Sequence, residues 1–165
     1  MLKKYQVFSS AVLKFKKCWF MTAVLSMVIL GPNTDVKALD ANGSMVETVL
    51  IEVSISTQVM KVHHNGQLSY EWPVSTARHG KVTPIGAWRA KWLSRNHRST
   101  RYNNAPMPYS IFYNGHYAVH GTNQINLLGR PASAGCIRLH PDNAAILFSI
   151  VQGIELQNTT ISVVE

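Results

Sequence analysis

The stretch from Tyr117 to His140 (YAVHGTNQINLLGRPASAGCIRLH) holds the side chains of this chain best suited to covalent chemistry, a histidine at 120 and a cysteine at 136. A thiol attacks an acyl group as the thiolate, so with an ordinary pKa of about 8.5 it needs a base or a positive environment. An imidazole is the side chain whose charge changes nearest neutrality, which makes His120 the candidate base for Cys136. The three residues before Cys136 are small (Ser133, Ala134 and Gly135) and leave the sulfur approachable. A tight turn through Gly135 would present backbone N–H groups to a developing oxyanion, and Ser133 would fix that turn locally. Arg138 falls on the same face as Cys136 if the backbone is extended. It would there supply positive potential or grip a substrate carboxylate with two parallel bonds.

The cysteine count sharpens the question. The chain has 165 residues, enough for one compact domain, and two cysteines, Cys18 and Cys136. Residues 1–38 read as an export segment: lysines near the start, an apolar run from Cys18 to Gly31, then Pro32 and a polar stretch in which Val36 and Ala38 suit a cut after Ala38. That run is short of the roughly 20 residues of a spanning helix, so a cleaved signal peptide is expected, with an uncleaved signal anchor as the alternative. Export implies the periplasm or cell wall, or retention at the inner membrane if the anchor stays. Removal of the segment leaves Cys136 alone in an oxidising compartment. A lone thiol is a buried small hydrophobe, a partner for another chain, or a nucleophile, and its neighbours must decide.

Charge excludes one class of partner. The formal net charge is +8, but six of the sixteen basic residues precede residue 39, and from Leu39 onward ten basic residues face seven acidic ones. That balance is ordinary for a soluble domain, so nucleic acid is not an expected partner. The basic and aromatic stretch within 78–104 (Trp88, Arg89, Lys91, Trp92, Arg95, Arg98, Arg101) is better read as a loop beside a sugar or peptide cleft.

The elements that must position these groups are mostly strands. Residues 39–46 are small and polar, a linker, and 47–165 form the folded part. Val49, Ile51, Val53 and Ile55 alternate with more polar residues, the period of a strand with one buried face. Asn65-Gly66 and Asn114-Gly115 each separate two strand-like runs, the strongest short signal for a hairpin with a type I′ turn. The second hairpin would end on His120, which the ladder then holds, with His116, Ala118 and His120 on one face. A helix is expected from Pro141-Asp142 to Gly153, with proline in its first turn and glycine at its end, followed by a strand over 161–164. The fold class is mainly β with one or two helices (α+β), mostly antiparallel.

Several separated motifs then share one source. His120-Gly121-Thr122 followed by Ser133-Ala134-Gly135-Cys136-Ile137-Arg138-Leu139 resembles the signature of the L,D-transpeptidase catalytic domain, the YkuD family. Ser75-Thr76-Ala77-Arg78 with Thr83-Pro84-Ile85-Gly86 resembles its upstream stretch, and Met107-Pro108-Tyr109 its approach to the histidine strand. Ala134 departs from the pattern, standing where many members carry histidine. The resemblance implies a β-sandwich-like catalytic domain and a cysteine acyltransferase acting on peptidoglycan stem peptides. Cys136 would be the nucleophile and His120 the general base and acid, with Gly135, Ser133 and Arg138 serving the oxyanion and the substrate. It implies a thioester, release of D-alanine and a 3→3 cross-link. A carboxypeptidase that passes the acyl group to water, or an enzyme that passes it to a wall-anchored lipoprotein, would share the first half-reaction.

Two other classes compete. A zinc site built from His120, Cys136 and His140 lacks the tight paired spacings that such sites show, so neither a metal nor another cofactor is expected. A wall-binding module without catalysis would have no need of a cysteine and a histidine in register.

Overall fold

A computed structural model of the protein describes residues 46–165; the expected export segment at 1–38 and all but the last residue of the linker at 39–46 lie outside the described residues. Strand β1 (Val49–Ser54) buries Val49, Ile51 and Val53, as the alternation predicts. Strands β2 (Val59–His64) and β3 (Gln67–Pro73) pair antiparallel around Asn65-Gly66, where both residues take positive φ (51° and 83°), the geometry of a type I′ turn. Residues 78–104 supply β4 (Gly86–Arg89) and β5 (Trp92–Arg98).

The second hairpin, β6 (Pro106–Asn114) with β7 (Tyr117–Gly121), turns differently from expectation. Its register shifts between Phe112 and Asn114, and Asn114 pairs with Tyr117, so the turn consists of Gly115 and His116. Only Gly115 has positive φ (55°), which fits the II′ class with glycine at the first central position. The extra residue of the bulge moves His116 out of the strand and into the turn, so His116 does not share the strand face of Ala118 and His120.

After β8 (Ile137–Leu139) come helix α1 (Pro141–Gly153) and β9 (Thr159–Val164). The helix starts where expected: His140 is its N-cap, with Nδ1 accepting from the Asp142 N–H at 3.3 Å. Two mixed sheets result, ordered β3-β2-β1-β9-β4 and β5-β6-β7-β8. Five of the seven strand pairings are antiparallel, but β9 runs parallel to β1 and β8 runs parallel to β7. Both parallel partners arrive after long crossovers, which local alternation cannot announce.

The main core lies between the sheets and under α1. It takes Ile51, Val53, Ile161 and Val163 from the first sheet, Ile111, Val119, Ile137 and Leu139 from the second, and Ala144, Leu147, Phe148 and Val151 from the helix. The period of two then assigns the opposite face of the second sheet: Phe112 and Ala118 form a separate small cluster with Met107, against which Cys136 packs. One face of this sheet therefore holds the fold together and the other carries the candidate chemistry.

Strand β9 is the keystone of the first sheet, since it bonds β1 on one side and β4 on the other. Ile161 is fully buried there, paired with Ile51 and Trp88. Ile161→Ala is expected to cost roughly 2–5 kcal/mol, from lost transfer energy plus a cavity. A urea denaturation series, read as a lower midpoint at unchanged slope, measures it.

Candidate active site

Strands β7 and β8 pair in parallel with Val119 opposite Ile137 and His120 opposite Arg138. Val119 and Ile137 point into the core, so His120, Arg138 and the flanking Cys136 share the other face. All three line one cleft of about 420 Å³. Cys136 is half-buried, whereas His120 is only 6% exposed.

The orientation of His120 follows from one contact. Its Nδ1 lies 2.7 Å from the carbonyl oxygen of Gly121, an atom that only accepts, so Nδ1 carries the proton. The lone pair of the neutral ring is then on Nε2. Gly121 admits the helix: a Cβ there would lie 3.2 Å from both the Pro141 Cα and the Pro108 Cγ. Burial lowers the His120 pKa from 6.5 to about 4; the Gly121 bond opposes this, and the electrostatic influence of Arg138 and of the neighbouring His97 adds to it.

The Cys136 thiol donates to the carbonyl oxygen of His116 at 3.8 Å. Burial pushes its pKa up, while a hydrogen bond from the Ala118 backbone and the charge of Arg138 pull it down. At rest the thiol and the imidazole are therefore both neutral.

The turn before Cys136 is fastened on every side. Gly135 has φ 134°, and a Cβ there would meet Tyr117 Cε1 at 2.6 Å and the Val82 carbonyl oxygen at 2.8 Å, so only glycine fits. The Gly135 N–H donates to Ser133 Oγ (3.0 Å), and its carbonyl accepts from Thr83 Oγ1 (2.8 Å). The Gly135 N–H, expected to face an oxyanion, is engaged by Ser133 within the turn. Ser133 is fully buried and its hydroxyl closes the turn.

The Ser75–Arg78 stretch acts as a brace along the free edge of β8. Ser75 exchanges both backbone bonds with Arg138 (3.0 and 2.9 Å), and Ser133 N donates to the Thr76 carbonyl (2.8 Å). Thr83 Oγ1 accepts from the Ala77 N–H (3.0 Å), tying the brace to the turn. Behind it, Gln58 is buried with φ 55°; its Nε2 donates to Thr76 Oγ1 (2.6 Å) and its Oε1 accepts from the Thr76 N–H (2.9 Å). The reading of residue types overlooked Gln58, because a glutamine beside a turn carries no signal of burial. It also overlooked Gln124, whose Oε1 accepts from Arg138 Nη1 at 2.7 Å and orients the guanidinium, and His97, which lines the cleft edge-on to Phe112 (4.9 Å).

His140, the third group of the zinc alternative, caps α1 instead, and no cluster of three metal-ligating side chains occurs among the described residues. The arrangement suits acyl transfer: an approachable sulfur, a fixed imidazole lone pair and a guanidinium on one face of a rigid sheet.

Two outcomes are expected. Above pH 6.5 His120 is neutral folded or unfolded; between 6.5 and 4 only the unfolded chain takes up its proton. Stability therefore falls on acidification through that window, by on the order of 3 kcal/mol from this group. Urea midpoints at pH 7 and pH 4 should differ less in His120→Gln than in the parent. Gly135→Ala should slow alkylation of Cys136 by iodoacetamide, because the turn must shift off Tyr117 and Val82; an unchanged rate would show the turn to be plastic.

Comparison with known proteins converges on one family. The family model for the L,D-transpeptidase catalytic domain (YkuD) matches residues 48–163. The protein named Putative L,D-transpeptidase YkuD of Bacillus subtilis (strain 168) is 28% identical over 105 residues, 61% of this chain and 59% of that one. The solved LD transpeptidase LdtMt1 in complex with imipenem aligns with TM-score 0.64 at 26% identity, covering 72% of this chain and 59% of its own. An L,D-transpeptidase from Mycobacterium smegmatis aligns with TM-score 0.65 at 21% identity over 72% of this chain and 59% of its own, a likeness of fold alone. This chain thus spans about three fifths of the length of these relatives. With the family model covering all but a few of the described residues, the chain belongs to the YkuD family of L,D-transpeptidase catalytic domains.

Proposed function

We propose that this protein is a peptidoglycan L,D-transpeptidase that forms 3→3 cross-links through a thioester on Cys136. The observation that carries the reading is the β7–β8 register, which puts the Cys136 sulfur and a His120 ring of defined tautomer on one face of one cleft. The family implies peptidoglycan peptides as substrates.

In the proposed cycle the stem tetrapeptide enters with the carbonyl of its third residue, at the L-centre of the diamino acid, against the sulfur. His120 Nε2 takes the thiol proton as the S–C bond forms, so the buried thiolate exists only while the imidazolium beside it is charged. The oxyanion falls to backbone N–H groups other than that of Gly135, the Cys136 nitrogen foremost. Collapse breaks the amide bond; the proton on His120 goes to the departing amine, and D-alanine leaves. An amine of a second stem attacks the thioester and gives its proton to His120; the S–C bond breaks as the new amide forms, and the leaving sulfur takes that proton back, restoring the Cys136 thiol. Arg138, steadied by Gln124, holds the donor by a carboxylate. The reading places the folded part outside the cytoplasmic membrane, in the periplasm or cell wall, delivered by residues 1–38 as a signal peptide or anchor.

Incubation of the protein with stem tetrapeptides, followed by mass spectrometry, tests the reading. An acyl adduct on Cys136, free D-alanine and a cross-linked dimer are expected; tripeptide alone would reassign the acceptor to water, and a lipoprotein-linked product would reassign it to a lysine. Cys136→Ser should give no thioester, and His120→Ala should slow acylation roughly a hundredfold or more. Imipenem, which LdtMt1 holds in its solved complex, is a ready probe of the same sulfur.

The pH dependence of kcat/KM for acylation should rise with loss of the His120 proton near pH 4. A rising limb centred near 6.5 would show an imidazole in water, not the buried base proposed.

A further inference from the structure

Three guanidinium groups open on the Cys136 cleft from three separate segments: Arg78 from the brace, Arg138 from β8, and Arg101 from the loop joining β5 to β6. No aspartate or glutamate lines the cleft among the described residues. Ion pairs among those residues join Lys61 to Glu71, His64 to Glu47 and His140 to Asp142, so none of the three arginines has a carboxylate partner. Their side-chain contacts are neutral: Arg138 Nη1 on Gln124 Oε1 (2.7 Å) and Arg78 Nη1 on the Ser133 carbonyl (3.3 Å), one of the five N–H donors of each guanidinium. Like charges gathered in a concave site repel one another and focus positive potential, an arrangement that an anionic ligand relieves.

The positions separate the arginines into two sets. Arg138 and Arg78 stand on the β8 side, beside the nucleophile, and suit the carboxylate of the terminal D-alanine, one residue from the attacked carbonyl. Arg101 comes from the other edge of the four-stranded sheet, since β5 and β8 are its two outer strands. Its loop is braced: Ser99 N donates to the Ala105 carbonyl (2.9 Å), Tyr102 N donates to Ser99 Oγ (3.1 Å), and the Arg101 guanidinium lies over the Tyr102 ring at 5.8 Å. Arg101 thus enters the cleft from the edge opposite the one that carries Arg138, placed for a different group of the donor.

Resting on the proposed function, we infer that Arg101 is a specificity-determining residue that binds a second carboxylate of the donor, the one on the side chain of its diamino acid. The enzyme then selects donors whose third residue is a free diaminodicarboxylate over those in which that group is a carboxamide or is missing. The carboxamide keeps the shape and loses the charge, so the discrimination is electrostatic.

The test uses three tetrapeptides that differ only at the third residue: 2,6-diaminopimelate with its side-chain carboxylate free, the same residue as the side-chain carboxamide, and lysine. Acylation of Cys136 is followed by mass spectrometry at low and high salt. The free diacid should react with kcat/KM roughly tenfold or more above the other two, with the advantage shrinking as salt rises. Arg101→Gln should bring the diacid down to the carboxamide level, and Arg101→Lys should keep part of the preference. Equal rates for the three peptides, or a preference unchanged in Arg101→Gln, would overturn the role of Arg101 while leaving the transpeptidase reading intact. If no peptide acylates Cys136 at all, the function reading itself fails and this inference goes with it.

Discussion

The parallel pairing of β7 with β8 is the constraint on which the site depends. One frame of hydrogen bonds sets His120 opposite Arg138 and leaves Cys136 at the entrance to β8 on the same face. A slip of one residue would turn the cysteine into the core and Ile137 into the cleft, exchanging a nucleophile for a buried aliphatic side chain. The core guards against that slip, because Val119, Ile137 and Leu139 are all packed against the first sheet and α1. Catalytic geometry and hydrophobic burial are thus two faces of one register.

A three-residue edge strand would be a weak support by itself, and the chain reinforces it from outside. Ser75 continues the ladder beyond β8, Thr83 and Ser133 hold the two sides of the Gly135 turn, and Gln58 anchors the whole brace to the end of β2. The parts of this network come from three distant stretches of sequence. Such a polar network is safe to bury only because its members satisfy one another. It gives the residues around 75–86 a structural role beside the cysteine turn.

Burial and charge act differently on the two groups of the cleft. Burial holds His120 neutral and the Cys136 thiol protonated, while nearby guanidinium charge favours the thiolate and disfavours the imidazolium. The site therefore stores little charge of its own beyond its arginines. On the proposed function, negative charge would arrive with the substrate and, during reaction, on the sulfur and the oxyanion. A cleft built this way would then be most complementary to a state that exists only when an anionic donor is bound and reacting.

Much of this was legible in residue order. Alternation located β1, Asn65-Gly66 located the first hairpin, Pro141 and Gly153 bounded α1, and the spacing of His120, Gly135, Cys136 and Arg138 pointed to acyl transfer. These are local signals, since φ preference, period and side-chain chemistry act within a few residues. What lay beyond them was long-range. The bulge at Phe112–Asn114 moved His116 into the turn, the crossovers made both sheets mixed, and the Gly135 N–H proved to be engaged by Ser133. The side chains that steady the site, Gln58, Thr83 and Gln124, act across separations at which composition and spacing carry no information. Sequence alone determined which groups this protein has for chemistry; the tertiary structure decided their register, protonation and shared face, because those depend on packing and desolvation between strands that meet only in the folded chain.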